Sequence, residues 1–207
     1  MNITLTGLDR NTDLTKLPNK KCCEYGILYT EDPEDRNRYP TWDIIYSILH
    51  DLKGYNLALH VCGKGARNQL KNFGLSPLTN CVHRIQINGK LTKEEVEFFC
   101  RAYPRHTIIT QHNSSNDDLT DLKIDNHAYL IDASDGRGLS PDTWNHKFDF
   151  DINYGFAGGL GPDNLEQEMI KIEEYAGTRT WVDMENKLRT DDWFDVDKAK
   201  QVLDIFF

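Results

Sequence analysis

Three groups of residues in this chain could act together chemically. Asp132 closes the apolar run AYLID, where desolvation would raise a carboxyl's pKa and suit it to general acid catalysis. Asp183 and Glu185 alternate in TWVDMEN, so they point to one side of the strand that carries them, with Asn186 and Lys187 following. The stretch YGFAGGLGPDNL, residues 154–165, breaks from an apolar run into Gly158 and Gly159 and then into helical spacing. A glycine turn ahead of a helix serves either tight geometry or close approach of a ligand, and phosphate is the usual visitor there. A second such turn, ASDGRG with Gly136, Arg137 and Gly138, follows Asp132.

An acid of this kind needs a base, and Asp9, His60, Cys62 and Glu185 compete for that role. Three of them have a plainer reading. Asp9 would cap a short first helix, and His60 would be a satisfied core histidine. Cys62 would be a buried inert thiol unless Lys64 or a helix N-terminus stabilises its thiolate. His60, Asp132, Asp183 and Glu185 could together bind a divalent ion, but the chain has no His-x-His pair, so no metal and no cofactor is expected. Trp144, Trp181 and Trp193 read as packing.

These residues need a frame, and the chain repeats one about every 25 residues. The apolar runs are ITLT (3–6), YGILY (25–29), LALHV (57–61), RIQIN (84–88), TIIT (107–110), AYLID (128–132), NYGFA (153–157) and TWVDM (180–184). Helical spacing fills most of the intervals, which predicts βα units and a parallel sheet. Eight units predict an α/β chain forming a single (β/α)8 TIM barrel over residues 1–207, with an open doubly wound sheet as the alternative. In a barrel the chemistry stands at the C-terminal strand ends. That rule gathers Thr6, Asp9, Arg38, His60, Cys62, Gln86, Asn88 and Gln111 with the carboxylates above.

TWDIIYSILHDL places Ile44, Ile45, Ile48 and Leu49 on one stripe, and Thr92 with Glu95 spells a capping box. Pro162 is expected at the first position of a helix whose stripe is Leu165, Met169 and Ile172, and Asp195 is expected to cap the last helix. The segments after the first and fifth runs are poor helices.

The totals narrow the class. The 207 residues are 39% hydrophobic and 28% charged, with no run long enough to span a bilayer and no N-terminal leader pattern. A net charge of −9 argues against a nucleic-acid surface. Five cysteines without C-x-x-C spacing fit reduced thiols in the cytoplasm.

Several of these stretches resemble the phosphoribosylanthranilate isomerase family. FAGGLGPDNL is similar to the family's strand-7 turn, YLIDASDGRG to its strand-6 segment, and RYP at 38–40 to its Ser-x-Arg-Tyr after strand 2. LALHVCG is similar to its strand-3 Gln-Leu-His-Gly, and WVDMENKLRT to its last strand. The resemblance implies Asp132 as general acid and Arg38 as the arginine that grips the anthranilate carboxylate. It also implies phosphate binding at Gly158 and Gly159, with Gly136, Arg137 and Gly138 in the strand-6 loop. Two departures stand out. Thr6 occupies the place of the family's cysteine base, and a threonine hydroxyl cannot take a proton from carbon near neutral pH. Glu185, Asn186 and Lys187 replace a Ser-Gly phosphate turn.

The expectation is an intramolecular isomerase of the Amadori type, acting on a small phosphorylated metabolite as a monomer or homodimer, without nucleic acid or membrane. A catalytically silent barrel that binds such a metabolite, and a metal-dependent sugar-phosphate lyase or hydrolase, are the alternatives.

Overall fold

The computed structural model describes residues 1–33, 36–113, 116, 119, 121–132, 138–144, 153–176 and 179–206. Eight parallel strands close in chain order: β1 (Asn2–Thr6), β2 (Cys23–Tyr29), β3 (Asn56–Val61), β4 (Arg84–Ile87), β5 (Thr107–His112), β6 (His127–Asp132), β7 (Tyr154–Ala157) and β8 (Trp181–Met184). Every expected apolar run falls on one of them. β8 pairs with β1, Thr4 opposite Asp183 and Leu5 opposite Met184. That pairing closes the ring, so the open doubly wound alternative is not the fold.

Alternation along the strands makes two cores. Ile3, Leu5, Tyr25, Ile27, Leu57, Leu59, Ile85, Ile108, Ile131, Phe156 and Val182 face outward and pack under the helices. Inside the barrel a small cluster of Ile109, Ala128, Leu130 and Trp181 fills the β5–β8 side. The opposite side is polar: Thr4 Oγ1 donates to Glu24 Oε1 (3.1 Å), and Arg84 pairs with that carboxylate while its guanidinium lies 4.1 Å from the Trp181 ring centre. Buried polar atoms need partners, and in this floor Arg84 Nε and Trp181 Nε1 make no hydrogen bond among the described residues. Together these side chains floor the cup above.

Six α-helices lie among the described residues: α1 (Trp42–Asp51), α2 (Lys64–Lys71), α3 (Ser76–Thr79), α4 (Lys93–Ala102), α5 (Leu165–Glu173) and α6 (Val196–Phe206). α1 buries Ile45, Ile48 and Leu49, with Ile44 partly covered at the edge of the stripe. The Thr92–Glu95 capping box forms, and Asp195 Oδ1 accepts from Asp197 N and Lys198 N at the head of α6. After β1 there is only a short 3-10 turn (Leu14–Lys16), in line with the poor helical pattern there.

Pro162 is a correction. α5 begins three residues later, because Asn164 ties the preceding turn: its Oδ1 accepts from Gly161 N (3.0 Å) and its Nδ2 donates to Gly159 O (2.9 Å). Beyond β8, two-residue strands β9 (Arg189–Thr190) and β10 (Trp193–Phe194) form a small hairpin. No helix among the described residues is long and apolar enough to cross a membrane.

Candidate active site

A cavity opens at the C-terminal end of the barrel, and most residues expected at the strand ends line it. Thr6, Arg38, His60, Gln86, Asn88, Gln111, Asp132, Asp183, Glu185, Asn186 and Lys187 face it, with Gly138, Gly158 and Gly159. Tyr39, Leu28, Leu130, Ala157, Leu160 and Met184 complete the wall among the described residues. A larger groove at the other end, between α1 and the residues before β4, is lined by Tyr46, His50, Asn80 and His83 and has no acidic side chain among the described residues. The smaller, carboxylate-lined cup is the candidate site.

Register sets its geometry. Asp132 lies opposite Ala157 on β7, and Ala157 lies opposite Asp183 on β8. The two aspartates therefore flank one small residue at one level, their Cα atoms about 10 Å apart across two strand spacings. Asp132 is buried and accepts from Gln111 Nε2 (3.3 Å). Asp183 is buried too, and Thr6 Oγ1 donates to its Oδ1 at 2.7 Å. Burial pushes the Asp183 carboxyl up to about 8; the Thr6 hydroxyl and Arg84 pull against that, while Glu185 and Glu24 add to it. Gly26 makes this contact possible, since a Cβ there would lie 2.5 Å from Thr6 Oγ1 and 2.9 Å from His60 Nε2. Glycine is required by close approach at this position.

The expected bases separate. Asp9 does not line the cup. It is fully enclosed, accepting from Arg189 Nη1 (3.2 Å), Phe194 N (2.7 Å), Asn11 N and Thr12 Oγ1 (each 3.1 Å). Its carboxylate locks β1 to the hairpin after β8, so the catalytic assignment gives way to a structural one. Cys62 lies behind the wall, with Asn88 Nδ2 donating to its sulfur (3.3 Å) and burial pushing its thiol up to about 12. Its thiol stays protonated at neutral pH, and it does not line the cup. His60 reaches the cup, but burial and then Arg84 hold its imidazole down to about 3, a neutral ring of low basicity. Glu185 is raised by burial, with Arg38 and Arg189 opposing and Asp132 adding to the shift.

At the opposite wall, Gly158 (φ 121°) and Gly159 (φ 63°) adopt the left-handed backbone that favours glycine. A Cβ on Gly159 would lie 2.3 Å from Ser140 N, so this glycine also serves the close packing of the β6 loop. Gly136 and Arg137 lie outside the described residues. Lys187 faces the cup and pairs with Asp163 at 2.9 Å. Among the described residues no three His, Cys, Asp or Glu side chains converge as metal ligands would. Trp144 donates to Glu168 and packs on Phe156, and neither it nor Trp181 or Trp193 lines the cup.

Solved structures that share this arrangement of strands include several phosphoribosylanthranilate isomerases. A monomeric form of the dimeric phosphoribosylanthranilate isomerase of Thermotoga maritima superposes with a TM-score of 0.71 at 12% identity, covering 99% of this chain and 97% of that one. The chain has the fold of the phosphoribosylanthranilate isomerases. The enzyme of Thermus thermophilus gives 0.69 at 13% identity over 100% and 98%, and that of Pyrococcus furiosus 0.66 at 11% over 99% and 98%. A UMP synthase of Leishmania donovani, 52% covered, gives 0.52 at 11% identity. No family profile and no curated protein sequence matches. The phosphoribosylanthranilate isomerase fold thus positions the cup, and the residues within it must argue the chemistry.

What the sequence reading missed is the contact between Thr6 and Asp183. Read alone, Thr6 is an inert substitute for a base. Beside Asp183 it is a hydrogen-bond donor to one. The available signal was barrel closure, which makes strand 8 the neighbour of strand 1.

Proposed function

We propose that the cup catalyses an intramolecular aldose-to-ketose rearrangement of an amine-bearing pentose phosphate. The observation that carries this reading is the pair of carboxyls flanking Ala157, one of them held by Thr6. Two groups of one chemical type in different surroundings can divide acid and base work.

Asp132 gives its proton to the ring oxygen as the C1–O bond breaks and the nitrogen lone pair forms C1=N. The Asp183 carboxylate takes the proton from C2. The C2–H electron pair becomes a C1=C2 bond, and the C1=N pair returns to nitrogen. The enolamine becomes a ketone as C1 takes up the proton held by Asp183 and the C2 hydroxyl gives its own proton to the Asp132 carboxylate, so both carboxyls are restored and no atom is gained or lost. A carboxylate whose conjugate acid titrates near 8 is a stronger base than an ordinary one, and it is ionised for this step only as pH rises towards 8. The Thr6 hydroxyl steadies it as it ionises. Sugar hydroxyls would meet Gln86, Asn88 and Gln111, and the phosphate would meet the glycine wall with Lys187.

The test is proton NMR in D2O with a panel of N-substituted 5-phosphoribosylamines, the anthranilate included. Loss of the anomeric proton with ketose formation is expected, falling about 10²–10⁴-fold in Asp132→Asn and in Asp183→Asn. No turnover of any member of the panel would sink the isomerase reading. A phosphate ligand retained equally by wild type and Asp132→Asn would then favour the silent binding barrel, which the loss of the strand-1 cysteine also supports.

A further inference from the structure

Gln111 stands on β5 beside β6, and its Nε2 donates to Asp132 Oδ2 (3.3 Å). A carboxamide can face its neighbour with either end, and the rest of its hydrogen bonding decides which. Here Gly89, just past β4, donates from its backbone N to Gln111 Oε1 (3.1 Å). With the oxygen engaged there, the NH2 end is the one turned to the carboxyl.

The Gly89 N–H is itself aimed from two sides. Its φ of 96° belongs to the left-handed region, and a Cβ there would lie 2.6 Å from Arg67 Nη1. That nitrogen, from α2, donates to Asn88 O (2.7 Å) and holds the turn from outside. From the other side comes Asn116, in the segment after β5 whose sequence makes a poor helix. It is fully buried, where a polar side chain needs every partner it can have. Its Oδ1 accepts from Leu91 N (3.0 Å), and its Nδ2 donates to Gly89 O and to Gln111 O (each 2.9 Å). One side chain thus holds both ends of the contact between Gly89 and Gln111, and it does not line the cup.

We infer that Asn116 is a positioning residue for Asp132, acting through Gly89 and the carboxamide of Gln111. This rests on the reading above that Asp132 is the acid of the rearrangement. As Asp132 gives up its proton, negative charge develops on its oxygens, and an N–H bond to a charged oxygen is stronger than one to a neutral oxygen. The Gln111 bond therefore gains strength during the transfer, which is the kind of interaction that lowers a barrier. A reversed carboxamide would set its own oxygen against the developing charge. Asn116 and Gly89 oppose that reversal from behind the wall.

The test uses the full chain, a 5-phosphoribosylamine that the wild type turns over, and 15N NMR of the Gln111 side-chain amide, assigned by its absence in Gln111→Met. Gln111→Met is expected to lower kcat about 10–100-fold, the range for a hydrogen bond to a charged group. Asn116→Leu should lower it about tenfold and move the Gln111 amide signals towards those of an exposed glutamine. The double variant should match Gln111→Met within about twofold, because Asn116 has nothing left to position. Arg67→Met, on a half-buried side chain, should show the same dependence with a smaller loss, and it carries the test should Asn116→Leu fail to fold. Losses that multiply in the double variants, or a Gln111 amide unmoved by the change at Asn116, would make Asn116 a loop tie only. Either result would overturn the inference and leave the isomerase reading standing. No turnover of any phosphoribosylamine by the wild type would remove that reading and the inference with it.

Discussion

Two buried aspartates at the same end of the barrel, Asp9 and Asp183, have opposite fates. Asp9 follows β1 and meets a guanidinium, a backbone N–H and two local donors, so its charge is fully answered. Asp183 sits on β8 with a hydroxyl against it and Arg84 beneath, and burial dominates its titration. Burial alone does not mark a functional carboxylate. Burial with incomplete compensation does, because the unspent cost of ionisation becomes basicity at the cup.

The sharpest way to break this comparison is to remove each charge in turn. Asp183→Asn keeps the shape and the Thr6 contact, so the fold should hold while turnover of a competent phosphoribosylamine falls about 10²–10⁴-fold. Asp9→Ala should do the reverse. It strands Arg189 in a buried site, for a loss of about 3–5 kcal/mol in denaturant unfolding, yet folded protein should keep its kcat within a few-fold. Unchanged kcat in Asp183→Asn, or a dead but stable Asp9→Ala, would reverse the two assignments.

The pH dependence of stability sharpens the same contrast at smaller amplitude. The folded Asp183 carboxyl titrates near 8 against a reference of 3.8, so between those values the native state holds a proton that the unfolded state has lost. Stability from this group therefore falls as pH rises through that window and levels off above it. His60, held near 3 against 6.5, works the other way: its unfolded form binds the proton, so its share of stability rises with pH up to 6.5. The two oppose each other below 6.5. Between there and 8 the downward slope belongs to Asp183. Urea unfolding at pH 6.5 and at pH 8 should show it in the wild type and a flatter profile in Asp183→Asn. An identical slope in both would place the proton elsewhere.

How much of this could be read in the sequence depends on distance along the chain. The strands were legible because residues such as Ile27, Leu59, Ile85 and Val182 form short apolar runs at an even beat, each run buried on its outer face. The carboxylates at strand ends were legible by the barrel rule alone. The start of α5 was not, because Asn164 spends its side chain on Gly159 and Gly161 rather than letting Pro162 open the helix. Nor were the fates of the aspartates. The partners that decide them, Arg189 for Asp9 and Thr6 for Asp183, stand 180 and 177 positions away. Only closure of β8 onto β1 brings both pairs together, and no local pattern carries that information.

The smallest effect tests the contact itself. Thr6→Val keeps the volume and removes the hydroxyl that lowers the proton affinity of Asp183, so that carboxyl should titrate above its present value near 8. The rising limb of kcat/KM against pH, which reports the free enzyme's base, should move to higher pH by a fraction of a unit to about one unit. The plateau at high pH should stay within a few-fold of wild type, since the base remains in place. A merely structural threonine would lower the plateau and leave the limb where it was. That outcome would return Thr6 to packing and leave Asp183 without the partner that sets it apart from Asp9.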